Sequence, residues 1–300
     1  FIGLGLLYAA VLFASPEITA PAYNSEATGI GAPPIVPLLF VTIACGAISG
    51  FHGLVASGTT SKQLDKEPDA RFVGYLGSLG EGLLAIATIV VVSAGLGSSE
   101  EWRAVYSEFG IHGIDTFTRG GANIVAGGLG LPVEFAATLL TVMAVLFAGT
   151  TMDSGVRIQR MIIQEWGTIY KLPFMQNHYL ATLLAVGSCL VLAFGAGGSD
   201  GQGGMLIWPL FGTTNQLLAG ITLLVISIIL VKLKRPSIYT LVPMLFVTTM
   251  SFLAGLIQLR GFYENEQYTL LVFDLAIIVA AVMVMFEGFS AFNREKTSTV

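Results

Sequence analysis

Residues 45–61 read CGAISGFHGLVASGTTS and place small polar side chains at the end of an apolar run that is long enough to cross a membrane. Glycines weaken a helix, and this stretch contains Gly46, Gly50 and Gly53. Backbone groups freed by a helix break cannot face lipid, so they line a cavity or are buried in protein. We therefore predict a broken helix, of the kind at which membrane transporters hold their substrates. Its predicted substrate-binding residues are Ser49, Gly50, His52, Ser57, Thr59 and Thr60.

The alternative for this stretch is an unbroken, glycine-rich helix that packs tightly on a neighbouring helix. In that case His52 bonds to a backbone carbonyl instead of a substrate.

A second polar group interrupts a later apolar run, in the sequence IWPLFGTTNQLLAG at 207–220. We add its polar and aromatic residues to the predicted substrate site; they are Trp208, Thr213, Thr214, Asn215 and Gln216. The alternative is that these side chains hold neighbouring helices together by hydrogen bonds, which is common in membranes.

Ionisable side chains inside a membrane span are costly and mark functional positions by default. Glu81 lies in an apolar run among glycines and a serine, which let water or another backbone approach, so we predict it as the proton carrier. His52 is the alternative carrier, because histidine titrates near neutral pH. Asp274 is the seventh residue of an apolar run at 268–289, and we interpret it as an interfacial, mostly structural group.

A third polar group lies in a helical pattern that runs from 132 to about Trp166, well past the thickness of a membrane. Hydroxyl and carboxylate oxygens are the ligands that small hard cations prefer, so these residues are predicted to couple transport to a cation. They are Thr150, Thr151, Asp153 and Ser154. The alternative is a salt bridge at the membrane edge between Asp153 and Arg157, which are four residues apart on one helix face.

The composition identifies an integral membrane protein. Of its 300 residues, 54% are hydrophobic and only 11% are charged, whereas about a quarter are charged in soluble domains. The net charge of −5 and the two separate cysteines support neither nucleic-acid binding nor a disulfide framework. The sequence contains no HExxH or GxSxG motif and no second histidine close to His52, so we expect neither an enzyme nor a metal site.

The apolar runs predict an all-α polytopic bundle with about eight spans, the first of them truncated. We place the truncated helix at 1–14 and the full spans near 34–56, 73–96, 132–156, 177–196, 205–231, 237–258 and 268–289. Eleven of the fourteen Lys and Arg residues then lie on one side of the membrane, and Arg103, Arg119 and Arg260 lie on the other. Because cytoplasmic loops collect these residues, we predict a cytoplasmic C-terminus.

The longest connection, 98–131, is external in this topology and mixes apolar residues with glycines. Long structured connections are often functional, so we predict a re-entrant or capping element here, with a plain surface loop as the alternative.

Four blocks of the chain resemble the carbon starvation protein family of bacterial inner-membrane proteins. In chain order they are CGAISGFHGLVASGTT at 45–60, GYLGSLGEGLLA at 74–85, FAGTTMDSGVRIQR at 147–160 and IWPLFGTTNQLLAG at 207–220. The family is related to starvation-induced peptide uptake and to pyruvate/proton symport. The resemblance therefore implies a membrane transporter.

The family in turn resembles the amino-acid/polyamine/organocation transporters, whose core is two inverted five-helix repeats. The resemblance implies that 34–231 is the second repeat, beginning with the broken helix, and that 237–289 are two additional helices. The Thr150 and Thr151 pair resembles the hydroxyl ligands of a sodium site in sodium-coupled relatives. The family's amino-terminal part is missing, so we expect residues 1–300 to be a single transmembrane domain from a longer protein.

We thus expect a secondary-active transporter of the bacterial inner membrane, which takes up pyruvate, another small organic anion or peptides during carbon starvation. Its partners are the substrate, a proton or sodium ion and the bilayer, with no cofactor and no nucleic acid. The alternative function is a membrane sensor or assembly subunit of nutrient-starvation signalling that moves no solute.

Overall fold

The computed structural model describes residues 2–24, 29, 32–108, 113–196, 199, 201 and 203–298, and every regular element in these residues is a helix. We label the helices α1 (Ile2–Ala14), α2 (Phe40–Ala47), α3 (Gly50–Gly58), α4 (Asp69–Ala94), α5 (Ser99–Val105), α6 (Gly113–Leu129), α7 (Val133–Ile169), α8 (Pro173–Gln176), α9 (His178–Leu190), α10 (Gly204–Lys232), α11 (Ile238–Glu264) and α12 (Tyr268–Ser298). Short π-helical turns precede α2 at Ile35–Leu39 and follow α9 at Val191–Ala196, and a short 3-10 turn covers Thr60–Lys62.

Seven helical segments of the described chain are long and apolar enough to cross a membrane. They are Ile35–Lys62, Asp69–Ala94, Val133–Ile169, His178–Gly195, Leu210–Lys232, Ile238–Glu264 and Tyr268–Glu295. Each coincides with one of the predicted spans, and α1 is the shorter apolar helix at the start. The predicted all-α polytopic membrane fold is therefore confirmed.

The chain divides into two compact units. The first contains 1–33 and 63–154, and the second contains 34–62 and 155–300. The predicted repeat at 34–231 has residues in both units, so its status as an inverted repeat stays a prediction.

Helix α7 is 37 residues long and contributes to both units. At 1.5 Å per residue it measures about 55 Å, longer than the roughly 30 Å hydrocarbon core of a bilayer.

In the first unit α6 packs between α1 and α4 on a core of small and branched apolar side chains. Gly95 and Gly120 allow this close approach, because a Cβ on residue 95 would lie 2.5 Å from the backbone of Gly120. The side chain of Asn123 donates to the carbonyl of Gly95 at 3.0 Å and so satisfies a group at the end of α4.

Most of the described residues of the connection at 98–131 lie in helices α5 and α6, so the alternative of a plain surface loop is wrong. Along α6 the buried residues include Thr116, Gly120 and Ile124, which share one helix face. Burial raises the pKa of Tyr106, just after α5, while its hydrogen bond to Thr116 opposes the shift. The role of this packed helix as a re-entrant or capping element stays a prediction.

The second unit is built on α10, which packs against α3, α11 and α12. Leu224, Met244 and Met285, one from each of the last three helices, form the apolar core of their bundle. Helix α10 therefore contacts both the predicted broken helix and the two C-terminal helices, and this position makes it central to the site.

Candidate substrate and coupling site

The span at 35–62 is broken as predicted. Helix α2 ends at Ala47 and α3 begins at Gly50, while Ile48 (φ −135°, ψ 100°) and Ser49 (φ −111°, ψ 124°) between them are extended. The hydroxyl of Ser49 caps α3 by accepting from the backbone N of His52 at 3.3 Å. An unbroken helix is therefore excluded, while the tight packing on a neighbouring helix that the alternative predicted is present at Gly50.

Asn215 of α10 satisfies several polar groups at this break. Its Oδ1 accepts from the backbone N of Phe51 at 2.7 Å and from the hydroxyl of Ser49 at 3.2 Å. Its Nδ2 donates to Cys45 Sγ at 2.9 Å. One amide thus contacts both sides of the break, and it takes the position at the N-terminus of α3 where an anion would otherwise be favoured.

Gln216, the next residue of α10, holds the other side of the break. Its Nε2 donates to the carbonyl of Ile48 at 2.8 Å, so this extended segment gains a partner that helix geometry does not give it. The side chain is completely buried, and its Oε1 has no hydrogen-bond partner among the described residues. A buried acceptor without a partner is rare and calls for an explanation.

Gly50 brings α3 into direct contact with α10. A Cβ at this position would overlap the carbonyl oxygen of Asn215 and lie 2.5 Å from the backbone N of Ala219. Gly53 is less crowded, since its Cβ would lie 3.0 Å from the side chain of Thr222. The close approach at Gly50 is what allows the short side chains of α10 to reach the break.

The structure thus gathers Ser49, Gly50, Asn215 and Gln216 at one place. Other predicted substrate residues bond along their own helices: Ser57 to the carbonyl of Gly53, Thr59 to that of Val55 and Thr214 to that of Leu210. His52 is exposed, and Thr60 is half-buried.

Two further predicted substrate residues on α10 have partners of other kinds. Trp208 is exposed and stacks on Phe211 with ring centroids 5.4 Å apart. Thr213 donates to Gln258 Oε1 of α11 at 2.5 Å. These contacts support the helix-joining alternative for part of the polar group on α10, while its role in substrate binding stays a prediction.

The predicted coupling residues all lie in the first unit. Glu81 is exposed on α4. The hydroxyls of Thr150 and Thr151 both donate to the carbonyl of Phe147, at 2.9 and 3.1 Å. Asp153 is exposed and Ser154 is half-buried. No group of three or more metal-ligating side chains occurs in the described part of the chain, and the role of these residues stays a prediction.

Asp274 is more deeply placed than the sequence suggests. An interfacial group was expected, but the structure buries Asp274 inside the second unit with 1% of its surface exposed. A spacing of three or four residues links it to the buried residues Ile278, Ala281 and Met285. This helical spacing is visible in the sequence and is the signal that places Asp274 on the packed face of its helix.

The fold and the site define a polytopic helical membrane protein with a discontinuous span held by polar side chains of a second span. Within that class, the chain belongs to the carbon starvation protein family. The family model described as Carbon starvation protein CstA matches residues 1–101 and 101–254.

Curated relatives agree with this membership. The chain is 32% identical to the peptide transporter CstA of Helicobacter pylori, over 88% of this chain and 46% of the relative. It is 33% identical to the peptide transporter CstA of Escherichia coli, over 75% of this chain and 40% of the relative. It is 28% identical to the pyruvate/proton symporter BtsT of Escherichia coli, over 89% of this chain and 48% of the relative.

The chain therefore spans about half the length of these relatives. No solved structure matches it.

Proposed function

We propose that this chain is part of a secondary-active transporter that takes up pyruvate, another small organic anion or peptides across the bacterial inner membrane. The observation that carries the proposal is the broken span at Ile48 and Ser49, held by Asn215 and Gln216 of α10. Secondary transporters bind substrate at discontinuous helices of this kind. The names of the relatives, peptide transporter and pyruvate/proton symporter, support the same activity.

Within this proposal the break is the substrate contact. The Oε1 of Gln216, which has no partner within the described residues, is an acceptor for a substrate N–H or a water molecule. Asn215 holds the N-terminus of α3 until a substrate carboxylate replaces its Oδ1 there, because that end of a helix favours negative charge. Peptides and pyruvate both carry such a carboxylate.

For coupling we propose Glu81 as a proton carrier and His52 as a substrate or positioning contact, with the Thr150, Thr151, Asp153 and Ser154 group as a cation site. These roles follow from the residue types and from the family resemblance. The same reasoning gives a cytoplasmic C-terminus, because most Lys and Arg residues fall on that side.

The test is uptake of labelled pyruvate and of labelled short peptides into proteoliposomes, with and without an inward proton gradient. We expect accumulation above the equilibrium level only with the gradient. In Glu81→Gln accumulation should vanish while substrate exchange, which needs no net proton movement, continues. If accumulation persists in that variant and is lost only in His52→Asn, the two roles are reversed.

The alternative is a membrane sensor or assembly subunit of starvation signalling. It predicts binding of a substrate without uptake or exchange for every labelled compound, whatever the gradient. That outcome would contradict the transport proposal.

A further inference from the structure

The bundle of α10, α11 and α12 has one apolar part and one polar part. Toward the α10–α11 connection its core is Leu224, Met244 and Met285. Toward the α11–α12 turn the packed side chains include polar ones, among them Thr213 with its hydrogen bond to Gln258, and Asp274. A buried carboxyl in this polar part has no role in the function proposed above.

The register of the α11–α12 hairpin fixes the depth of Asp274. Gly255 of α11 faces Ile278 of α12, since a Cβ on residue 255 would lie 3.0 Å from Ile278 Cδ1 and 3.5 Å from Thr213 Cγ2. Gln258 and Asp274 each lie about one turn closer to the hairpin turn than this contact. Asp274 is thus at the level of Gln258, about 9 Å along α12 from its start.

No cation among the described residues balances this carboxyl. Asp274 is 1% exposed, and its Oδ2 has no hydrogen-bond partner in the described part of the chain. On α11 the nearest charges are Arg260 and Glu264, which pair with each other at 2.7 Å on the exposed surface.

The other titratable side chains of the three helices are also remote or exposed. Tyr263 and Tyr268 are exposed near the hairpin turn, and Tyr239 is exposed at the opposite end of α11. The remaining charged side chains that the structure describes on these helices lie toward that same end and form ion pairs there; they are Lys232, Glu287, Arg294 and Glu295.

An ionised carboxylate without a cation or a full set of donors is strongly disfavoured inside a membrane span. Burial without a cation among the described residues therefore favours the protonated form of the Asp274 carboxyl. It can release the proton only when the bundle separates enough to admit water.

Helix α10 links such a movement to the broken span. Thr213 of α10 bonds to Gln258 near Asp274, and Asn215 and Gln216, two and three residues further along α10, hold the break. A displacement of α10 that rearranges the break therefore also changes the packing around Asp274. We propose that Asp274 is a proton-binding site and that it is protonated in this conformation. Its exchange of a proton with water is coupled, through α10, to the rearrangement of α2 and α3. The tie to transport rests on the proposed function.

Infrared spectroscopy of the purified protein in lipid tests the proton site without measuring transport. We expect a carbonyl-stretch band of a protonated carboxylic acid at neutral pH, shifted in deuterium oxide and lost in Asp274→Asn. Glu287→Gln is the matched control, because Glu287 lies on the same helix, is exposed and pairs with Arg294; this variant should keep the band. A wild-type protein without the band, or Asp274→Asn with an unchanged band, overturns the site.

Isotope labelling assigns the band even if the asparagine variant does not fold. Aspartate labelled with carbon-13 at its side-chain carboxyl should shift the band, and the other described aspartates, Asp65, Asp69, Asp115 and Asp153, are exposed. A band that does not respond to labelled aspartate overturns the assignment to Asp274.

Transport then tests the coupling. In Asp274→Asn, accumulation should fall to the level reached without a gradient while substrate exchange continues, and Glu287→Gln should accumulate like the wild type. Gradient-driven accumulation by Asp274→Asn, or joint loss of exchange and accumulation in a folded variant, overturns the coupling role. A wild-type protein that neither exchanges nor accumulates any substrate overturns the proposed function instead, and the infrared result still decides the proton site.

Discussion

Asn215 shows how one side chain stabilises an interrupted membrane helix. Its amide accepts from the backbone of Phe51 and the hydroxyl of Ser49 and donates to the thiol of Cys45. Where the break is enclosed in the membrane, no water molecule is available to form these hydrogen bonds in place of the Asn215 amide. Each lost partner then leaves a buried polar group unsatisfied, which costs more than an average hydrogen bond contributes.

We predict that Asn215→Leu lowers the free energy of unfolding by about 1–3 kcal/mol, because leucine fills the space but leaves these groups unpaired. The measurement is the thermal unfolding midpoint of the purified protein. Thr214→Val is the matched control, since the Thr214 hydroxyl bonds along its own helix, to the carbonyl of Leu210. Equal midpoints for the two variants would contradict the role of Asn215 at the break.

The sequence predicts the polar group on α10 but not what it touches. Asn215 and Gln216 stand out because amides are rare in an apolar run. Their partners at 48–51 lie more than 160 residues away in the chain. Substrate binding and helix joining require the same residue types, so only the fold shows that both amides reach the break.

At the scale of elements, the contact of α3 with α10 is closest at Gly50, one of the three glycines from which the break is predicted. A Cβ on residue 46 would have no described neighbour within 4 Å, whereas a Cβ on residue 50 would overlap the backbone of α10. Glycine content predicts the break, but it does not identify the residue at the close approach. That distinction depends on where a distant helix lies.

We predict that Gly50→Ala lowers the free energy of unfolding by about 1–3 kcal/mol, because the obstructing atoms are backbone and cannot move aside like a flexible side chain. Gly46→Ala, four residues earlier, should leave stability unchanged or slightly higher, since alanine favours a helix. The measurement is the thermal unfolding midpoint of each variant, compared with that of the wild type. Equal destabilisation would show that glycine flexibility, not the α3–α10 contact, matters at this position.

At the scale of the whole molecule, the spans are predictable and the grouping of the spans is not. Length and apolar composition belong to each segment alone, so every span from 35 to 295 can be found from the sequence. The two units depend on contacts between distant segments. Residues 34–62 pack in one unit with 155–300, and residues 63–154 pack in the other unit with the amino-terminal residues. No local sequence pattern indicates this grouping.

The orientation of the molecule gives the last prediction, because it follows from the uneven distribution of Lys and Arg over the two sides of the spans. Ser99 at the start of α5 and Lys234 between α10 and α11 are both exposed in the structure. In a background with Cys45 and Cys189 replaced by serine, a membrane-impermeant maleimide should label Ser99→Cys in intact cells. It should label Lys234→Cys only after permeabilisation, when both thiols react. The reverse pattern would place the C-terminus outside and contradict the proposed topology.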